Sequence, residues 1–244
     1  MKNIFTYSVA KFTAGRFRQI QVKAIQEVPL TIYLNGHEVV TLLCMGNHPK
    51  SLTVGFLKSD GLITDLKQLK DIHIENESER LIARVETSHD PLKLQALERS
   101  IASTTVTAKL TVTPEQILRL VAELHERSTL YMATGGCHNA SLATPEKILI
   151  FREDIGRHNA IDMICGQCFL DSIPTQDKLI VSTGRISSEI LLKTIRLGVP
   201  ILTAGSAATQ FAIDLARKTN MTLIGQARQG RMIVYNHGGR IAGL

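Results

Sequence analysis

The sequence predicts an α/β fold for the second half of the chain and a smaller α+β unit for the first half. Past residue 147, short apolar runs alternate with segments of helical periodicity, which is the pattern of an α/β layer architecture. The strands of this half are predicted at 147–151, 178–183, 200–204, 222–226 and 231–235, and its helices at 157–170, 187–197 and 207–218. Before residue 112, hairpin signals dominate. The composition, 44% hydrophobic and 20% charged over 244 residues, is that of an ordinary globular protein.

The elements of the first half are predicted from turn dipeptides and from alternation. Residues 27–45 are predicted to form a hairpin, because the strand at 27–36 ends in the turn dipeptide Asn35-Gly36. The remaining elements are a strand at 17–22, a helix at 51–63 that ends at Asp60-Gly61, and a second hairpin formed by 71–75 and 80–86. This half is therefore expected to be rich in antiparallel strand pairs.

The boundary between the two halves is predicted near residue 112. Residues 100–112 contain no glycine, cysteine or carboxylate, and we expect them to connect the halves. The next helix begins at Thr113, which can cap it, while Pro114 suits the first helical position and Gln116 closes a capping box. The predicted domains are 1–112, which includes the connection, and 113–244.

The charge distribution favours a small anionic ligand. The formal net charge is +6 and the sequence pI is about 9.2, but the charges are evenly spread, with no basic tail. General nucleic-acid binding is therefore disfavoured. No apolar run is long enough to span a membrane. Residues 1–24 carry basic and no acidic side chains, as a targeting peptide would, yet they lack an apolar h-region. Four cysteines are too few for a disulfide scaffold, so a reducing compartment, the cytoplasm, is expected.

Residues 151–162 concentrate polar side chains where a strand is predicted to turn into a helix. The helix is expected to have one apolar face, formed by Ile161, Ile164, Cys165 and Cys168. Helix N-termini offer free N–H groups and a positive dipole end, so an anion can bind here. A solvated turn whose charges pair among themselves is the alternative. Seven residues can carry or share a proton or charge: Arg152, Glu153, Asp154, Arg157, His158, Asn159 and Asp162.

Four turns of the second half are alike in offering small residues and free backbone N–H groups. They lie at 134–139, 182–189, 204–209 and 225–231. Two of them add arginines, which can contact a phosphate through two N–H groups at once. Small residues at a single turn usually reflect geometry alone. Four such turns together with the polar cluster favour an anionic-ligand site, in which we expect Arg185, Ser187 and His158 to contact the ligand.

The cysteines separate into two kinds. Cys165 and Cys168 match Cys-x-x-Cys, a redox or metal motif, but they continue an apolar helix face, so we expect both to be packed in the core and no metal site. Cys137 follows two glycines and precedes His138, whose imidazole could lower the thiol pKa. We expect Cys137 to be exposed and reactive; the alternative is an idle loop thiol.

Seven blocks of the chain match a known family. They are EVPLTIYLNG (27–36), LTVGFLKSDGLI (52–63), TGGCHNA (134–140), EDIGRHNAID (153–162), STGRISSEI (182–190), GVPILTAGSAAT (198–209) and GQARQGRMIVY (225–235). On these blocks the sequence resembles the formate dehydrogenase accessory sulfurtransferase family (FdhD) over nearly its whole length.

The resemblance implies a fold, a cargo and partners. It implies a cytidine-deaminase-like second domain without zinc, and a homodimer. The cargo is the molybdenum (or tungsten) bis-molybdopterin guanine dinucleotide cofactor, which a GDP-like nucleotide would mimic, and the partners are a cysteine desulfurase and the formate dehydrogenase catalytic subunit. No nucleic acid or membrane partner is implied. The implied cofactor-binding residues are Gln226, Ala227, Arg228, Gln229, Gly230 and Arg231.

One departure from the family leaves two functions open. The family's persulfide cysteine lies in a Cys-Gly-x-Cys-Gly loop between the domains, and the corresponding residues here, 102–109, contain no cysteine. Either the chain relays sulfur through another cysteine, for which Cys137 is the candidate catalytic residue, or it is a cofactor-binding chaperone without covalent chemistry. A nucleotide hydrolase would need metal ligands that the sequence does not supply.

Overall fold

The computed structural model describes residues 4–88 and 105–244 and contains three sheets. The strands are β1 Ile4–Thr13, β2 Arg16–Ile25, β3 Val28–Leu34, β4 His37–Cys44, β5 Leu69–Asn76, β6 Leu81–Thr87, β7 His138–Ala143, β8 Ile148–Asp154, β9 Leu179–Ser182, β10 Ile201–Ala204, β11 Thr222–Arg228 and β12 Arg231–Asn236. The helices are α1 Pro49–Ser59, α2 Pro114–Arg127, α3 Thr129–Thr134, α4 Arg157–Leu170, α5 Ser188–Leu197 and α6 Gln210–Lys218. In the part of the chain that is described, no helix combines the length and apolar character needed to cross a membrane.

The second half is built on a six-stranded sheet with the order β12-β11-β10-β9-β7-β8. Strands β9, β10 and β11 are parallel, whereas β7 pairs antiparallel with both β9 and β8. One face packs on α2 through Ile117, Leu120 and Leu124. The other face is covered by α4 and α5, with α6 beside them. The predicted α/β layer architecture is confirmed.

The first half contains a four-stranded sheet with the order β4-β3-β6-β5, together with α1 and a separate two-stranded hairpin of β1 and β2. Both predicted hairpins form, and β3 and β6 join them as a parallel pair. Leu52, Val54 and Leu57 of α1 fill the core beneath this sheet. Met163 of α4 joins the same core, so a helix of the second half completes the core of the first.

Helices α1 and α4 cross in backbone contact at two glycines. A Cβ built on Gly55 would lie 1.7 Å from the carbonyl oxygen of Asp162, and one built on Gly166 would lie 1.9 Å from that of Ser51. Because α1 covers the side of α4 that faces away from the large sheet, α4 is buried almost all round from Asn159 to Cys168. The prediction of a single apolar face on this helix is therefore wrong, since α4 is a central helix.

A buried ionic group joins α1, α4 and α5 next to this crossing. Lys193 Nζ donates to both carboxylate oxygens of Asp162 at 2.9 Å, to Asp60 at 3.1 Å and to Ser59 Oγ at 2.8 Å. Burial alone would lower the pKa of Lys193, but the two carboxylates overcome it and raise that pKa, so Lys193 stays charged. Loss of one partner from such a group leaves an uncompensated buried charge.

The differences from the predicted elements lie where local signals are weak. Strand β7 occupies residues that we predicted as part of a glycine-rich turn, and β1 was not predicted. Strand β8 continues to Asp154, so the first part of the polar cluster is strand. Part of the predicted connection, 100–104, lies outside the described residues; past it the chain bonds to the second half, where Val106 N donates to Thr219 O. The domain boundary at 112 stays a prediction.

The crossing predicts an unusual response to helix-favouring substitutions. Gly→Ala normally stabilises a helix interior, but Gly55→Ala and Gly166→Ala each drive a methyl group into the facing backbone. We expect each to lower the free energy of unfolding by about 3 kcal/mol or more, measured by urea denaturation. Gly205→Ala is the matched control, because its Cβ would meet nothing closer than 3.9 Å. Wild-type stability in Gly55→Ala and Gly166→Ala would contradict the crossing.

Candidate functional site

The candidate site lies at one edge of the large sheet. Strands β8, β9 and β10 end there, and β7, which runs antiparallel to β8 and β9, begins there. This places His138 opposite Asp154, and the turns after Ser182 and Ala204 beside them. In open α/β sheets, ligands bind outside the carboxyl ends of the strands. The predicted turns therefore meet where an α/β fold places a ligand.

Four hydrogen bonds to backbone carbonyl groups connect the turns to one another. Thr183 N donates to Asn139 O at 3.0 Å, and Gly205 N donates to Ser182 O at 3.0 Å. Ser206 Oγ donates to Thr183 O at 2.9 Å, and Gln226 N donates to Ser206 O at 3.0 Å. Each turn thus supports the next, so the site has a fixed frame.

A cavity of about 310 Å³ opens between these turns and is lined by His138, Arg157, Arg185 and Ser206. Arg157, the first residue of α4, lies across Gly184, where a Cβ would come within 2.9 Å of Arg157 Cβ. Its Nε is buried without a hydrogen-bond partner. In the described ranges, no carboxylate lies within ion-pairing distance of Arg157 or Arg185.

The cavity is therefore positively charged and uncompensated. Burial lowers the pKa of His138, and the positive charge of Arg157 lowers it further, so His138 is held neutral. A neutral imidazole can accept or donate one hydrogen bond without adding charge. The arrangement suits an anion with several oxygen atoms, such as a phosphate group, since guanidinium groups contact such oxygens in pairs.

The predicted cofactor-binding residues Gln226 to Arg231 form the hairpin between β11 and β12. Gln226 reaches the cavity frame through its bond to Ser206 O, and its φ of 50° marks a bulge in β11. Ala227 is buried in the core, while Arg228, Gln229, Gly230 and Arg231 form the exposed hairpin end. The structure therefore places this hairpin next to the cavity rather than inside it.

Two other predicted ligand contacts lie elsewhere. Ser187 caps α5, with its Oγ accepting from Ile190 N at 3.4 Å. His158 lines a different cavity of about 530 Å³ together with Asp60 and Lys193, and its Nδ1 lies 3.6 Å from a carboxylate oxygen of Glu189. Burial, followed by the charge of Arg157, lowers the pKa of His158. The structure thus separates His158 from Arg185.

Much of the polar cluster at 151–162 is structural. Asp154 is fully buried and accepts from Met45 N at 2.9 Å, from Gly156 N at 3.0 Å and from Asn159 Nδ2 at 2.7 Å. Asn159 also donates to Leu43 O, so this pair ties the end of β8 to the first half. Asp162 belongs to the buried ionic group. Of the seven polar residues, only Arg157 lines the cavity of about 310 Å³, which is called the arginine cavity below.

Cys137 does not match its prediction. It is only 4% exposed and packs with Met45 and Leu130. Burial raises its pKa to about 12, and the charges of Glu153 and Asp154 act in the same direction. The expectation of an exposed, partly ionised thiol is wrong, because the two glycines lead straight into β7 rather than forming an open loop.

The other cysteines are buried as well. Cys165 and Cys168 lie in the main core, as predicted, and burial raises their pKa values to about 12 and about 11. Cys44 ends β4, and burial raises its pKa to about 11. No cluster of three potential metal ligands occurs within residues 4–88 and 105–244. All four thiols are thus protonated near neutral pH.

His138, Arg157 and Ser206 line the cavity although the sequence did not predict them individually as ligand contacts. Arg157 carries a usable signal, since it opens the helix that follows a buried strand and so stands at a helix N-terminus. His138 carries none, because its position at the site depends on β7 running antiparallel to its neighbours.

Comparisons of the sequence and of the fold with known proteins point to one family. The model of the FdhD/NarQ family matches residues 25–242. The sulfur carrier protein FdhD of Geobacillus kaustophilus is 38% identical over 250 residues, and that of Bacillus subtilis is 36% identical over 250 residues; each match covers 96% of this chain and 95% of the relative. The crystal structure of a candidate formate dehydrogenase accessory protein from Desulfotalea psychrophila superposes with a TM-score of 0.84 at 21% identity, covering 98% of this chain and 99% of that one, which supports the fold.

Thiol reactivity tests the description of the cysteines. In native protein near neutral pH, we expect a disulfide reagent to label none of the four cysteines rapidly, because burial keeps each thiol protonated and covered. The same protein unfolded in guanidinium should release four reactive thiols, which is the internal control. Rapid native labelling of Cys137 would show that this residue is accessible after all.

Proposed function

The chain belongs to the FdhD/NarQ family, and from this premise we propose that it is a formate dehydrogenase accessory protein that holds the molybdenum (or tungsten) bis-molybdopterin guanine dinucleotide cofactor as cargo. The observation that carries the proposal is the cavity between the βα turns, where no carboxylate of residues 4–88 and 105–244 pairs with Arg157 or Arg185. Arg157 is half-buried and its Nε is buried without a hydrogen-bond partner, whereas Arg185 is exposed at the rim. Phosphate groups of a dinucleotide would supply the missing charge.

The size of the cavity indicates which part of the cargo it takes. Ligand pockets range from about 300 to 1,000 Å³, and this cavity of about 310 Å³ suits one phosphate-bearing end rather than the whole cofactor. The hairpin that holds Arg228 and Arg231 adjoins the cavity frame through Gln226. We assign the phosphates to Arg157 and Arg185, with Ser206 and the turn N–H groups beside them, and the rest of the nucleotide to the hairpin.

The burial of all four cysteines favours a holding role without covalent sulfur chemistry in this chain. Curated relatives are named sulfur carrier proteins, and a carrier needs a thiolate that a donor can reach. In this form of the proposal the chain presents the cofactor to the formate dehydrogenase catalytic subunit, and a cysteine desulfurase supplies sulfur to the bound cofactor without a persulfide on this chain.

A sulfur relay through Cys137 is the second candidate, favoured by its position directly before His138, which lines the arginine cavity. In that step the Cys137 thiol would take the terminal sulfur of a desulfurase persulfide, leaving a persulfide on Cys137 and a free thiol on the desulfurase. The step requires β7 to loosen, because Cys137 is covered by Met45 and Leu130.

Nucleotide binding tests the cargo site. Loss of one charged bidentate contact costs about 1.5–3 kcal/mol, so Arg157→Ala, Arg185→Ala and Arg231→Ala should each weaken GDP binding by about that amount in calorimetry. Arg217→Ala is the control, since Arg217 is an exposed residue of α6 that forms no salt bridge with the part of the chain that the structure describes. Unchanged GDP affinity in Arg157→Ala and Arg185→Ala would remove the cavity from the site.

The sulfur step has its own test. After incubation with a cysteine desulfurase and cysteine, we expect peptide mass spectrometry to find no persulfide on any cysteine, and Cys137→Ala to activate formate dehydrogenase fully. Cys44→Ala is the control for removing a buried thiol. A persulfide on Cys137, lost together with activation in Cys137→Ala but not in Cys44→Ala, would contradict the holding form and establish the relay.

A further inference from the structure

A cavity of about 370 Å³ lies where the two halves of the chain meet, and it is lined mainly by apolar residues. Ile4 of β1 and Met45, which follows β4, line it from the first half, while Leu130 and Ala133 of α3 line it from the second. Among the described residues, Glu153 near the end of β8 is the one charged residue in the lining. This space is called the Glu153 cavity. None of these residues lines the arginine cavity.

The carboxylate of Glu153 has no partner in the part of the chain that the structure describes. Its Oε2 is buried and makes no hydrogen bond. No lysine, arginine or histidine within residues 4–88 and 105–244 lies within ion-pairing distance of it. Burial raises the pKa of Glu153, because the charged form is disfavoured where no cation lies beside it. A buried carboxylate is costly unless it is paired.

The next residue shows how the fold satisfies a carboxylate that serves stability. Asp154 accepts hydrogen bonds from Met45 N, from Gly156 N and from Asn159 Nδ2. These three donors join β8 to the first half and to α4, and Glu153 accepts none of them. The carboxylate of Glu153 is therefore left for a ligand.

The chemistry of the cavity selects the charge and shape of that ligand. A carboxylate attracts cations and repels anions. A metal ion needs several ligands, and no group of three potential metal-binding side chains occurs in the described ranges. A guanidinium pairs best with both carboxylate oxygens at once, but Oε2 of Glu153 is covered. An ammonium is a compact charge on a flexible stem and can pair with a single oxygen.

We propose that the Glu153 cavity binds a primary alkylammonium group, which pairs with the Glu153 carboxylate while its alkyl stem packs against Met45 and Leu130. A free amine and the side chain of a lysine on another protein present this same chemistry. Met45 and Leu130 also pack on Cys137, so the bound amine and the thiol share a wall. The proposal does not rest on phosphate binding, because a separate cavity and a separate probe are involved.

The test compares n-butylamine with 1-butanol, an uncharged molecule of nearly the same shape, in NMR titrations of the full chain at neutral pH. Butylammonium should bind about tenfold or more tightly than butanol. Glu153→Gln keeps the shape of the side chain and removes its charge, so it should weaken butylammonium binding by about the same factor. Glu146→Gln is the matched control and should bind as the wild type does, because Glu146 is an exposed residue of the turn before β8.

Thermal unfolding separates a ligand site from a structural carboxylate. Without amine, Glu153→Gln should unfold at the same temperature as the wild type or at a higher one, because it removes a buried charge that lacks a partner. Butylammonium should raise the Tm of the wild type and leave that of Glu153→Gln unchanged. Carbon-13 NMR of the wild type should show that butylammonium lowers the pKa of Glu153, since a nearby cation favours the charged form.

Two further probes identify the source of the amine. Cadaverine represents free amines, and a peptide with blocked ends and a single lysine represents a protein side chain; tighter binding of either one supports the site and assigns its source. Equal binding of butylammonium and butanol would overturn the proposal, as would wild-type affinity for butylammonium in Glu153→Gln. A Glu153→Gln variant that unfolds below the wild-type Tm without amine would overturn it as well, because the carboxylate would then have a partner within the chain.

Discussion

The backbone contact between Gly55 and Gly166 is the constraint on which the rest of the structure depends. It allows α1 to lie directly on α4, so one helix serves the cores of both halves. The same approach brings Ser59 and Asp60 to Lys193 and closes the buried ionic group around Asp162. With α4 held on both sides, its first residue, Arg157, is fixed across the turn that follows β9. The position of Arg157 at the candidate site therefore depends on a helix crossing whose two glycines do not line the cavity.

The periodicity of the sequence predicted most of the second half, because its strands are short apolar runs and α2, α5 and α6 begin at capping side chains. Helix α4 was predicted at its observed limits, yet its surroundings were not. The spacing of Ile161, Ile164 and Cys165 corresponds to the face toward the sheet, whereas the face toward α1 carries Met163 and Gly166. A glycine that permits a close approach looks in sequence like any other helix glycine.

The sequence predicted the location of the candidate site better than it predicted which side chains line it. Turns of small residues identify the edge of the sheet, since that is where parallel strands end. Which side chains enter the cavity depends on the strand order, and here β7 reverses direction and brings His138 into it while Cys137 turns into the core. Cys137 and His138 are neighbours in sequence, yet Cys137, just before β7, packs with Met45 and Leu130, whereas His138, the first residue of β7, lines the cavity.

The stretch EDIGRHNAID (153–162) contains residues that stabilise the fold and one residue that lines the candidate site. Asp154 and Asp162 hold the two halves together, while Arg157 faces the cavity. This dense run of charged residues is thus partly a scaffold for Arg157, which forms no ion pair within the described ranges.

The central claim is that the cavity at the sheet edge binds phosphate groups through Arg157 and Arg185, which pair with no carboxylate among the described residues. The most direct measurement is calorimetric titration of the wild-type protein with GDP and with guanosine, each at low and at high salt. The account predicts that GDP binds, that its affinity falls as salt rises, and that guanosine binds far more weakly. Guanosine binding as tightly as GDP, or GDP affinity that is indifferent to salt, would contradict it.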